Sequence, residues 1–231
     1  MQLEARGEAM TRPAAVLAGP ILTGVALNLA LVVLAIVRYP AIFGAERVPF
    51  VLVDVAILLG YAAAAVAVAR IADEGTVRAL RSATWLGLVA GVLQGLEIVR
   101  EDLVAAERVT ALVTGLVSLL AMFALFGLAG VLAGAGPRGG ALAGIWCAMT
   151  AMMALWLMAW GLDYAFADRL AQIWPTDYDY LHGNTLRDLS AYTLWNTLSA
   201  AFSHALLLPC FGAAFGLIGG AVGRRTPIRS G

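Results

Sequence analysis

Six side chains in this sequence combine polarity with an apolar setting. Asp54, Gln94, Glu97, Asp163, Asn196 and His204 each fall within, or at the end of, a long hydrophobic run. In hydrocarbon such a group needs a partner, a wet cavity or a role in ion or proton movement, so each is a candidate binding residue by default. Carboxylates at such positions could hold a cation or pass a proton. His204 could carry a proton, ligate a metal or haem, or bond a neighbouring helix. Structural alternatives exist for several. Glu97 and Arg100 are three residues apart on a helix and could simply pair. Asp163 could be a solvated helix end facing Arg169, whereas Asp54 has no arginine at helical spacing. Around Asn196 and His204, further polar residues form two adjoining helical stripes, Asn196/Ser199/Ser203 and Thr193/Thr197/His204, whose shared face should look into protein or a wet cavity.

Several other chemistries find no support. All fifteen basic residues are arginine, so a mechanism through a lysine Schiff base is excluded. Cys147 and Cys210 have no CxxC spacing and read as small buried hydrophobes. The second histidine, His182, lies in a different segment from His204, which disfavours bis-histidine haem, and no metal site is assigned. Asp177 and Asp179 have a DxD spacing, but Leu181 and His182 stand where a calcium loop needs a ligand and a glycine. No HExxH, GxSxG or phosphate-loop motif occurs. A formal net charge of zero argues against nucleic acid as a partner.

The elements that must position the six residues follow from composition. Hydrophobic residues make up 61% and charged residues 13% of the chain, with a mean hydropathy of +0.86; soluble domains carry about 25% charge. The expected fold is all-α, a polytopic bundle of six transmembrane helices at about 14–37, 49–69, 83–99, 109–134, 141–166 and 191–222, forming a single domain over 1–231 with a longer loop at 167–190. Arginine is more frequent on the side holding both termini, nine residues against six. That bias predicts a cell-membrane protein with N- and C-termini in the cytoplasm. In this topology the six candidates lie toward the outer side. Met10 is an alternative start to Met1, and the first run is too long for a cleavable signal. Residues 71–82 read as a short amphipathic connector.

Aromatic residues gather around the long loop: Trp174, Tyr178 and Tyr180 within it, and Trp156, Trp160, Tyr164, Tyr192 and Trp195 on the flanking helices. They predict an interfacial belt, or the mouth of a ligand site. Pro209 removes an N–H and frees the carbonyl of Ala205, which predicts a kink past His204. Gly87, Gly91 and Gly95, and again Gly212, Gly216 and Gly220, are spaced by four. Such ladders admit close helix approach, within the bundle or to a membrane-protein partner or second copy. Their repetition hints at inverted three-helix halves. The six-span topology resembles the membrane halves of ABC exporters, without the amphipathic helix those usually carry before the first span.

Three functional classes are compatible with these features. One is a protein in the lipid bilayer that binds or transports a small solute or ion through an outward-facing polar cavity. The second is a membrane enzyme with an outer-leaflet His/carboxylate site. The third is a non-catalytic accessory subunit packing on partner helices.

Overall fold

A computed structural model of the chain describes residues 12–103, 108–173, 186 and 188–225. The helices are α1 (Arg12–Arg38), α2 (Val48–Ile71), α3 (Glu74–Leu103), α4 (Arg108–Ala133), α5 (Gly136–Ala165), the short α6 (Ala167–Ile173) and α7 (Leu189–Arg225), with a 3-10 turn at Pro40–Phe43. No strand occurs among the described residues. Six of these helices are long and apolar enough to cross a bilayer. Trp174, Asp177, Tyr178, Asp179, Tyr180, His182, and the start at Met1 or Met10, lie outside the described residues.

Two boundaries correct the expectations. The connector expected at 71–82 shrinks to Ala72 and Asp73, and α3 begins at Glu74 instead of near residue 83. The cause is a helix cap: the Thr76 N–H donates to Asp73 Oδ1 at 2.7 Å, satisfying an orphan donor of the first turn. The same bond holds the Asp73 carboxyl below its ordinary pKa. At the other correction, α5 starts five residues early, at Gly136, because a tight turn precedes it. Gly134 and Gly136 adopt φ of 61° and 76°, which side-chain-bearing residues seldom tolerate.

The bundle is organised around α5. Of its span 67% is buried, against 22–33% for the other five. Small residues make this possible, since they let backbones approach closely. A methyl group on Gly212, Gly216 or Gly220 of α7 would strike the carbonyl oxygen of Gly144, Gly140 or Gly136 on α5, respectively. On another side of α5, a methyl on Gly87 or Gly91 of α3 would strike the Cys147 or Ala151 carbonyl, and one on Gly95 the Met158 side chain. Both ladders are therefore filled within the chain, and a partner helix on either would have to displace α5. The inverted-half parallel does not hold either: the α3 ladder meets α5, not α2, the middle helix of its own half. Trp146 fastens α3 to α5 further, its Nε1 donating to Thr84 Oγ1 at 2.9 Å.

The helical aromatics are not a belt. Trp156, Trp160 and Tyr192 are buried, Trp160 stacks on Tyr164 with ring centroids 6.0 Å apart, and Trp195 packs edge-on against Phe50 of α2 at 5.9 Å. The lipid side is supplied instead by aliphatic residues such as Val33, Leu112, Leu116 and Ile218.

Candidate functional site

Where α3 packs on one side of α5 and the antiparallel α7 on another, a cavity of about 260 Å³ remains between the three. Its walls are Gln94, Ile98, Glu101 and Asp102 from α3, Met152, Leu155, Trp156, Ala159 and Asp163 from α5, and Asn196, Thr197, Ala200, Ala201 and His204 from α7. From Asp163 down to Met152, at about 1.5 Å per residue, the α5 wall spans about 16 Å. The carboxylates sit at the end where α3 and α5 finish and α7 begins, while Met152 and His204 lie deeper.

Four of the six sequence candidates thus share one cavity: Gln94, Asp163, Asn196 and His204. Asp163 is only 7% exposed, and its Oδ2 has no hydrogen-bond partner. Gln94 Oε1 accepts the Ser118 hydroxyl at 2.9 Å, which fixes the amide and leaves its N–H groups for the cavity. His204 Nδ1 lies 2.7 Å from the Ala200 carbonyl. A carbonyl can only accept, so Nδ1 carries the proton and Nε2 is left as an acceptor in the neutral ring.

The other two candidates are elsewhere. Glu97 faces α4, where Arg100 binds it through Nε at 3.0 Å and Nη2 at 2.5 Å. The Thr114 hydroxyl donates to its Oε1 at 2.7 Å and accepts from Arg100. This closed triad ties α3 to α4, and Glu97 does not line the cavity. Asp54 is fully buried, with neither carboxylate oxygen partnered, on the α2 face that also carries Leu58 and Tyr61, and it does not line the cavity. Helical periodicity gives a residue its face but not the neighbour that face meets, so the six could not be sorted without the fold.

The polar stripes of α7 divide in the same way. Thr193, Ser199 and Ser203 donate to Ser190, Asn196 and Ala200 carbonyls of their own helix, and the Thr197 hydroxyl bonds the Asp163 carboxyl, leaving Asn196 and His204 for the cavity. Sequence reasoning missed Asp102 and Glu101 as wall residues, and Trp156 entered only among the aromatics of a belt or a ligand-site mouth. Asp102 is eight residues beyond Gln94 and four beyond Ile98, hence on the same face, a spacing hidden by ending the third span at 99. Trp156 is 1% exposed and its Nε1 is unpartnered. Among the described residues, no three His, Cys, Asp or Glu side chains converge closely enough to hold a metal ion.

Six membrane-length apolar helices, α5 the most buried of them, with a polar cleft at one end, define a multi-pass integral membrane protein. Comparison with family models, curated proteins and solved structures returned no match for this chain.

Proposed function

We propose that the protein binds a small solute or ion in the α3–α5–α7 cleft and carries it across the membrane, with both termini cytoplasmic and the cleft opening outward. The observation that carries this reading is the void of about 260 Å³ among α3, α5 and α7, whose wall brings Gln94, Asp163, Asn196 and His204 together inside a membrane-length bundle. A bound solute would meet the wall groups left open to it, such as the Gln94 amide N–H and His204 Nε2. Orientation draws on the arginines of the opposite end, among them Arg70, Arg78, Arg81, Arg138 and Arg224.

Reconstituted vesicles provide the test. Uptake of labelled ethanolamine, putrescine, glycine, acetate and phosphate is measured with the wild-type chain, with Ala200→Trp, which fills the cleft, and with Glu97→Gln, which lies outside it. Flux of at least one probe above empty vesicles, lost in Ala200→Trp and retained in Glu97→Gln, is expected. No flux of any probe, or flux indifferent to Ala200→Trp, rejects the reading.

A further inference from the structure

A second cavity, sharing no wall residue with the cleft, lies between α1, α3 and α5. Its floor is a stripe of α5, Thr150, Met153, Ala154 and Leu157, at the spacing of one helix face. To one side of that stripe α1 docks, where Asn28 Nδ2 donates to the Met153 carbonyl at 3.3 Å. To the other side α3 docks, with Gly87 and Gly91 against the Cys147 and Ala151 carbonyls. A slot of about 520 Å³ is left between the two. Pro20, Thr23 and Leu27 are exposed along its α1 edge, and all three helices are of membrane length, so the slot opens to hydrocarbon. Of its two threonines, Thr150 is satisfied by the Trp146 carbonyl at 2.9 Å and Thr23 lies on the rim. Such a wall accepts an alkyl chain and offers a hydrated solute no replacement for its water.

The headgroup end of the site is on α3. Arg81 stands seven residues before Leu88, the α3 wall residue of the slot, and so shares its face about 10 Å nearer the end of the bundle where α3 begins. Trp85, between them, is 67% exposed, and Arg78 is one turn further out. Tryptophan settles at the headgroup level of a bilayer, and arginine reaches past it to the surface. Both arginines are exposed, and among the described residues neither is ion-paired, those pairs being Arg47–Glu46 and Arg100–Glu97. Of the two carboxylates at the start of α3, Asp73 is taken by the Thr76 N–H, and Glu74, one turn before Arg78, does not pair with it. We propose that this surface is a binding site for an anionic phospholipid, its phosphate held by Arg78 and Arg81 and one acyl chain laid in the slot. A guanidinium matches a phosphate with paired hydrogen bonds. A zwitterionic lipid would bring its own cation to the same two arginines, so the charge selects the anionic kind.

Native mass spectrometry of the purified full chain tests this, after incubation in detergent with equal amounts of phosphatidylglycerol and phosphatidylcholine bearing identical chains. The anionic lipid is expected to be retained about tenfold or more over the zwitterionic one, as two arginines at a headgroup imply. Joint replacement Arg78→Gln and Arg81→Gln, which alters exposed side chains only, should abolish that preference. Arg138→Gln changes an exposed arginine at the same end that does not border the slot, and should keep it. Leu27→Trp crowds the slot from its open edge and should weaken retention of both lipids; Thr23→Phe replaces it should that variant not fold. Glycerol phosphate, the headgroup without chains, should displace neither lipid. Equal retention of the two lipids, a preference that survives loss of both arginines or falls as far in Arg138→Gln, or retention indifferent to the crowded slot overturns the proposal. So does displacement by glycerol phosphate, which would make the arginines a site for a soluble phosphate.

Discussion

Tyr61 and Pro209, 148 positions apart in the sequence, solve one problem together. Proline has no N–H, so the Ala205 carbonyl one turn earlier lacks its helical donor. The sequence predicts that orphan. The structure supplies the answer: α7 continues as one helix from Leu189 to Arg225 through Pro209, and the Tyr61 hydroxyl donates to the Ala205 carbonyl at 2.6 Å. Tyr61→Phe should cost about 0.5–1.5 kcal/mol. In a Pro209→Ala background the restored N–H already satisfies that carbonyl, so the same substitution should cost measurably less. Reversible unfolding in mixed micelles checks this, and an equal cost in both backgrounds would sink it. Residue type alone does not place Asp54, Glu97 and Asp163 relative to one another; their neighbours do, Glu97 meeting Arg100 and Thr114 and Asp163 lining the cavity that Asp54 does not.

The helices are set by what their glycines meet. Replacing a helical glycine by alanine ordinarily stabilises by roughly 0.5–1 kcal/mol through backbone entropy. Gly115 of α4 has open space where a Cβ would go, and Gly115→Ala should follow that rule. At Gly216 the same methyl would run into the Gly140 backbone, and backbone cannot swing aside as a side chain can. Gly216→Ala should therefore reverse sign and destabilise by about 1–3 kcal/mol. Unfolding midpoints of the two variants decide it: a stabilised Gly216→Ala would mean that α7 does not lie against α5 as described. The periodicity of each ladder was legible in the sequence. That α5 would fill both was not, because Gly136, Gly140 and Gly144 sit at a turn-rich helix start whose glycines look like loop.

For the molecule as a whole, charge is unevenly shared between the two ends. Among the described residues Arg70, Arg78, Arg81, Arg138 and Arg224 lie with Asp73 and Glu74 at the end where α2, α4 and α7 finish, whereas Arg38, Arg47, Arg100 and Arg169 lie toward the other with Glu46, Glu97, Glu101, Asp102, Asp163 and Asp188. The proposed orientation, drawn from the positive-inside rule, has the cleft opening away from the cytoplasm. A fluorescent protein fused after Gly231 should then fold and fluoresce in cells, and alkaline phosphatase fused after Leu103 should be active. The opposite pattern would turn the cleft toward the cytoplasm and remove the outward-facing part of the proposal.

Hydrophobicity and run length are properties of the chain alone, so the sequence by itself determined an integral membrane protein of six spans, with their centres and the polar residues along them. Rotation of each helix about its axis is different, because it depends on which small residues of one helix admit the backbone of another, and only the tertiary structure decided it. That rotation gathered Gln94, Asp163, Asn196 and His204 with Asp102 and Trp156 around one cleft, turned Glu97 to Arg100 and Thr114, and buried Asp54 apart from them.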